Sequence, residues 1–257
     1  MLELLLPRLT IVSGADATHG VSLLQFARSV VAHEPFARLV LYDLGLTSRQ
    51  RSRIRQAAPR AKWRRFDFAK YPPYFDITVS AGEYAWKPAI VGGELAKCRG
   101  LLCWMDAGNV VLARLLALRF ETWRKGFYSP SSGGSVGKWT HPGMYDYFGL
   151  PHDWNADQKP LNGACVAFNP RNKTALELGS EWARLAAIRE CIAPAGSNRS
   201  NHRQDQALLT ILALQRGLSA SLSGRVGFQT HQDVEKLVVR RSGHDSRGGD
   251  VEDRAAR

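Results

Sequence analysis

In the stretch Gly100–Leu112, GLLCWMDAGNVVL, an apolar run ends on a single carboxylate, Asp106, followed by Ala107, Gly108 and Asn109. Two uses fit those residue types. Asp and Asn bond their own backbone and Gly accepts positive φ, so the stretch can be plain turn chemistry. An acid at a strand end, followed by small residues, also lets a ligand approach the backbone closely. Asp16 repeats the pattern after the first apolar run, RLTIVSG, where it either caps the next helix or accepts from a ligand N–H or hydroxyl. Lys87 in AWKP falls in the first turn of a helix, a place the helix dipole disfavours for a cation, which points to use rather than decoration. Asp205 in HRQDQALL opens a helix, where an acid suits the dipole whether or not it meets a ligand.

Alternating elements must position these groups. After RLTIVSG, the segment HGVSLLQFARSVVAHEP carries Val21, Leu24, Ala27 and Val31 at helical spacing until Pro35. ARLVLYDLG reads as a second buried strand, Thr47 or Ser48 as the cap of a basic helix, and KWRRFDF as a third strand. A helix from about Trp86 to Cys98 then leads into the strand ending at Asp106. This alternation predicts a mostly parallel sheet covered by helices on both faces, with ligands at the carboxyl ends of strands near the point where strand order reverses. The first strand is expected to end at Gly14, and Asp16, Lys87 and Asp106 are expected at that edge.

The second half differs. Phe127–Pro160 is rich in Gly, Ser, Pro and aromatics with little periodicity, and so long a connection suggests function or mobility. LNGACVAFNP reads as a strand, TALELGSEWARLAAIREC as one amphipathic helix, and RQDQALLTILALQRG as a helix closed by Gly217. Residues 1–239 are taken as one domain, and 240–257 as a polar tail, partly disordered.

Composition narrows the classes. With 257 residues and 44% hydrophobic content the chain can bury a sizeable core. The four cysteines lie far apart with no Cys-x-x-Cys, which argues for reduced thiols in a cytoplasmic protein and against structural zinc. No run approaches the length of a membrane span, so a soluble or peripheral protein is expected. The net charge is +12, and Arg49–Arg65 holds eight basic residues and no acid. That run serves as a solvated helix face and basic strand edge, or attracts phosphates or an anionic membrane surface. No nucleic-acid module accompanies it, so nucleic acid is not an expected partner.

The order IVSGADATH, LVLYDLGLT, FDFAKYPPYF, YAWKPAIV, LLCWMDAGN, LNGACVAFNP, HRQDQALLTIL resembles the nucleotide-diphospho-sugar glycosyltransferases of GT-A fold, over roughly residues 9 to 245. The similar branch has Trp-Lys-Pro at a helix start and Asp-x-Gly in place of Asp-x-Asp. The resemblance implies a single GT-A-like, Rossmann-like α/β domain. It implies transfer of a sugar from a nucleotide-diphosphate donor, most simply a UDP-sugar, to a hydroxyl of a carbohydrate or glycoconjugate acceptor. By the same resemblance Ala15 and Asp16 meet the nucleotide, Lys87 the diphosphate, Asn162 and Gly163 the sugar, and Asp205 with Gln206 the acceptor or donor sugar. Asp106, Lys87 and Asp205 become the catalytic candidates, Asp205 as the base.

In that family the strand end normally holds a divalent metal through two carboxylates, which suit Mn²⁺ or Mg²⁺. Here Gly108 replaces the second acid. A metal would need Asp106 plus a C-terminal His231 or His244, would arrive together with the donor, and would not be tightly held without it. The alternative is a non-catalytic nucleotide-sugar or glycan-binding protein of the same fold. A dinucleotide-dependent dehydrogenase is weaker, because SGADATHG lacks the Gly-x-Gly-x-x-Gly spacing.

Overall fold

The computed structural model describes residues 6–230. The first apolar run forms β1 (Leu9–Ala15), one residue longer than expected, with every residue but Thr10 buried. A single 3-10 turn capped by Asp16 leads into α1 (Gly20–His33). The buried stripe of α1 is Leu23, Leu24, Phe26, Ala27 and Val30. Val31, expected on that stripe, is exposed, because the bulkier Leu23 and Phe26 set the packed face.

Strand β2 (Arg38–Asp43) pairs parallel with β1, Ile11 opposite Leu39 and Gly14 opposite Tyr42. Thr47 starts α2 (Ser48–Ala57) with a reciprocal cap: its hydroxyl accepts from the Gln50 N–H, and the Gln50 side chain accepts from the Thr47 N–H. Strand β3 (Lys62–Arg65) pairs parallel with β2. There follow α3 (Trp86–Leu95), the fully buried β4 (Leu101–Met105), β5 (Val110–Val111), α4 (Leu116–Lys125) and β6 (Phe127–Tyr128). Next come α5 (Val136–Trp139), α6 (Pro142–Phe148), β7 (Cys165–Phe168), α7 (Lys173–Ala186), α8 (Arg189–Ile192), α9 (Gln204–Leu214) and β8 (Phe228–Gln229).

Six strands form a mostly parallel sheet in the order β3-β2-β1-β4-β7-β6, with β6 antiparallel to β7; β5 and β8 make a separate antiparallel ribbon. The chain is therefore α/β, as the alternation predicts. Among the described residues no helix is long and apolar enough to cross a membrane.

Three segments differ from their sequence reading. LNGACVAFNP is a strand only over Cys165–Phe168; Asn162 folds the chain just before it, its side-chain oxygen accepting from the Ala164 N–H. The amphipathic run after Lys173 breaks at Ala186 into α7 and α8. Phe127–Pro160 contains β6, α5 and α6, and main-chain bonds from Val136 and Gly137 to Gln158 and Ala156 tie its two arms together.

The chain divides into two compact units. One, holding 6–66, 103–120 and 225–230 of the described residues, contains β1–β3, α1, α2 and the β5–β8 ribbon. There α1 packs on β5: Ser29 Oγ accepts from the Val111 N–H, and buried Glu34 accepts from the Leu115 N–H at 2.6 Å. The other, 67–102 with 121–224, is built on the packing of α3 against α7. Two glycines permit that approach. A Cβ at Gly92 would lie 2.5 Å from Ala183 Cβ, and one at Gly179 would lie 2.5 Å from Leu95 Cδ2.

Gly92→Ala should therefore destabilise the chain by about 1–3 kcal/mol through overpacking, although alanine is the better helix former. Urea unfolding should show a lower midpoint for Gly92→Ala and partial recovery when Ala183→Gly is added to it; an unchanged midpoint would contradict the close approach.

Candidate functional site

In the first unit the strand order reverses between β1 and β4, the place where open α/β sheets collect ligands. Asp16 directly follows β1 and Asp106 directly follows β4. Three donors converge on Asp16 Oδ1: the Thr18 hydroxyl at 2.8 Å, the His19 N–H at 3.2 Å and the His19 ring at 2.9 Å. Burial pushes this carboxyl up, but the bonds from His19 and Thr18 outweigh it and hold the group below the usual range. Asp16 thus performs its capping role through one oxygen while staying ionised. Ala15 beside it is buried, and its carbonyl accepts from the Leu44 N–H.

At the end of β2, Asp43 is likewise held low against its partial burial, by the Leu46 and Gly45 N–H groups and the Arg51 guanidinium. At the end of β4, Asp106 Oδ1 accepts from the Trp104 indole at 2.6 Å, and its carbonyl accepts from the Asn109 N–H to close the turn. Ala107 is buried and Asn109 fully so.

The second unit brings together residues distant in sequence. Lys87, only 4% exposed, ion-pairs with Asp205, 6% exposed, at 2.9 Å. The Lys87 ammonium also donates to the Gly163 carbonyl at 3.3 Å, and the Gly163 N–H donates to Gln206 Oε1 at 3.3 Å. Asn162 adjoins Gly163, its N–H bonded to Ser129 Oγ and the Pro130 carbonyl. A Cβ at Gly163 would lie 3.1 Å from Asp205 Oδ2, so glycine is what lets α9 come this close. The Asp205 carbonyl accepts from the Trp182 indole at 2.9 Å, which fixes the start of α9 against α7.

Lys87 is aimed by an unusual backbone. Ser80, Ala81, Gly82, Glu83 and Tyr84 all have left-handed φ, from 47° to 62°. Such a turn costs roughly 1–2 kcal/mol for each residue bearing a Cβ. Contacts hold it: the Trp86 indole donates to the Ala81 carbonyl, Gln204 Nε2 donates to Glu83 Oε2, and a Cβ at Gly82 would collide with the Phe75 carbonyl at 2.3 Å. Strain of this kind concentrates where geometry is needed for function.

A histidine locks the other side. Fully buried His202 accepts from the His141 N–H through Nδ1 at 3.2 Å, which places the ring proton on Nε2, 3.0 Å from the Ile192 carbonyl. The neighbouring Arg203 N–H donates to the Trp139 carbonyl. The segment 139–141 is thereby stitched to the residues just ahead of Asp205. Burial drives the His202 pKa down to about 4.

Of the residues singled out in the sequence, Lys87, Asn162, Gly163, Asp205 and Gln206 share one neighbourhood, and Ala15, Asp16 and Asp106 lie at strand ends of the other unit. Lys87 is neither a solvated lysine nor an uncompensated cation, because Asp205 neutralises it. His231 and His244 lie outside the described residues. Among the described residues no three His, Cys, Asp or Glu side chains converge to hold a metal, and Asp106 alone is not a donor set for one. Sequence reasoning missed the left-handed turn, His202 and Arg203. An interrupted turn signal, SAGEY, and the polar run NHRQ were their only traces.

Residues 6–92 match a family described as "Protein of unknown function (DUF1647)". No curated protein matches the chain. Among solved structures, the galactosyltransferase LgtC in complex with donor and acceptor sugar analogues is 19% identical with a TM-score of 0.50, over 78% of this chain and 69% of that one. Core-mannan synthase A from Aspergillus fumigatus, in its Mn/GDP form, is 8% identical with a TM-score of 0.54, over 80% and 69%. Mouse xyloside xylosyltransferase 1, in its apo form, is 10% identical with a TM-score of 0.50, over 84% of each chain. All three are GT-A glycosyltransferases, and at these identities the likeness is one of fold.

Two measurements test this geometry. Lys87→Met leaves a buried carboxylate unpaired and should cost about 3–5 kcal/mol, whereas Lys87→Met with Asp205→Leu should recover most of it; equal losses in urea unfolding would refute the buried pair. His202 takes up more protons when unfolded, because its folded pKa lies below the ordinary value. Its contribution is complete above about pH 6.5 and falls away toward pH 4, with about 2 kcal/mol lost by pH 5. Unfolding midpoints across this range should fall in the parent and flatten in His202→Gln.

Proposed function

We propose that the chain is a glycosyltransferase that moves a sugar from a nucleoside-diphosphate donor, a UDP-sugar, to a hydroxyl of a carbohydrate or glycoconjugate. One observation carries the reading beyond fold: the buried Lys87–Asp205 pair, bordered by the Gly163 backbone and the Gln206 amide. Fixed hydrogen-bonding groups of both signs, held in place before any ligand arrives, are what a polyhydroxylated ring requires.

In the reaction the bond from the anomeric carbon to the diphosphate breaks, its electron pair leaves with the phosphate, and a bond to the acceptor oxygen forms as that hydroxyl passes its proton to the departing phosphate oxygen. The chain's task is chiefly to hold and orient. Asp16 accepts from a base N–H or ribose hydroxyl beyond β1. Asp106 marks the strand end where the donor's phosphates approach, with Ala107 and Gly108 giving them room. Asp205, occupied by the Lys87 ammonium, accepts from sugar hydroxyls rather than serving as the proton's destination. Asn162 and Gln206 supply the remaining polar contacts.

The second reading, a binding protein without turnover, is favoured by Gly108, which leaves one carboxylate where the resembling family has two. A thermal-shift screen of UDP-, GDP- and CDP-sugars, with and without Mn²⁺, followed by a radiolabelled transfer assay, separates the two. A raised Tm with a UDP-sugar, plus transfer that falls at least about 100-fold in Asp205→Asn and Asp106→Ala, is expected. Tm shifts without transfer or donor hydrolysis under any condition would favour the binding protein, and transfer at the parent rate in Asp205→Asn would overturn the site.

A further inference from the structure

Among the cations of the unit that holds the Lys87–Asp205 pair, Lys138, Arg199 and Arg203 have no acidic partner among the described residues. The Arg203 guanidinium lies 4.2 Å from the centroid of the Trp139 ring, and the Lys138 ammonium 4.9 Å from the same centroid. The Arg199 guanidinium lies over Tyr84 at 5.7 Å, the ring that the Lys87 ammonium approaches to 5.9 Å. The platform is built: the Trp139 indole donates to the Gly133 carbonyl at 2.8 Å, and the Trp139 carbonyl accepts from the Arg203 N–H.

The nearby carboxylates do not balance this charge. Asp205 is taken by Lys87, and Glu83, which accepts from the neutral Gln204 amide, makes no ion pair with any of the three. Asp157, exposed in the segment bonded to α5, makes no ion pair with Lys138. Stacking over a ring contributes only about 0.5–1 kcal/mol at exposed sites and leaves the guanidinium's N–H fork unused. Arg203 Nε is buried with no acceptor among the described residues. Two cations over one indole, one with a donor still unmet, call for an anion.

We infer that the sugar bound in this unit carries an acid group, a uronate-type carboxylate met by Arg203, Arg199 and Lys138. The inference rests on the sugar-transfer reading for the role of the site, not for its charge. The same chemistry can enter on the transferred sugar of the donor or on the acceptor glycan.

Binding to the full-length chain, measured by calorimetry in two arms, tests it. One arm compares UDP-glucuronic acid with UDP-glucose; the other compares a trigalacturonate with its carboxyl-reduced, neutral form. In one arm the acid should bind about tenfold more tightly than its neutral counterpart. That ratio should fall toward one in Arg199→Gln/Arg203→Gln, or in Lys138→Gln, an exposed position, should the double variant fail to fold. The arm that discriminates identifies the source. Ratios of one in both arms, a ratio that survives the substitutions, or no binding in either arm would overturn the inference; the first would return the cations to the diphosphate that both UDP-sugars share. Discrimination in the oligosaccharide arm with no UDP-sugar binding would instead remove the transferase reading and leave the acidic-sugar assignment standing.

Discussion

A lysine and an aspartate taken out of water need each other, and much of the second unit follows from the meeting of Lys87 and Asp205. Desolvating two ions costs several kcal/mol apiece, so the pair is tolerable only with close geometry and further hydrogen bonds. Both conditions are visible. Gly163 supplies a carbonyl to the ammonium and, having no side chain, room for α9. Trp182 anchors the start of α9 from α7, and α7 can carry that anchor beside α3 because Gly92 and Gly179 let the two helices close up. Residues with no chemistry of their own thus fix where the charged ones stand.

The left-handed turn at 80–84 belongs to the same economy. A helix beginning at Trp86 could be entered from an ordinary coil; here the chain enters through five residues of the wrong hand. The turn places Tyr84 under Arg199 and within reach of Lys87, and puts Glu83 against Gln204 at the start of α9. Strain is kept where the aromatic ring, the ammonium and the helix start must agree in position.

The parts of the fold written in local pattern were legible. β1, β2 and β4 are apolar runs that stop at Asp or Gly, and Thr47 with Gln50 spells a capping box in residue types and spacing alone. What local pattern cannot carry was missed. Asp205 and Lys87 each looked like a residue suited or unsuited to its own helix dipole, and only tertiary folding makes them partners. SAGEY has one glycine in five, a turn signal too weak to announce five consecutive positive φ angles, and β6, α5 and α6 are too short for periodicity to register. His202 matters through burial, which a sequence does not display.

Strand β3 closes one side of the sheet, and three of its four residues, Lys62, Arg64 and Arg65, are basic. An edge strand exposes main-chain groups on which another chain can template itself, and repeated cations are among the ways proteins discourage this. Trp63, the one apolar residue there, lies beneath the Arg55 guanidinium rather than bare to solvent. The basic run of α2 and β3 has a physical consequence that needs no ligand: at this edge, as the described residues form it, like charges on two copies would oppose the pairing of their backbones.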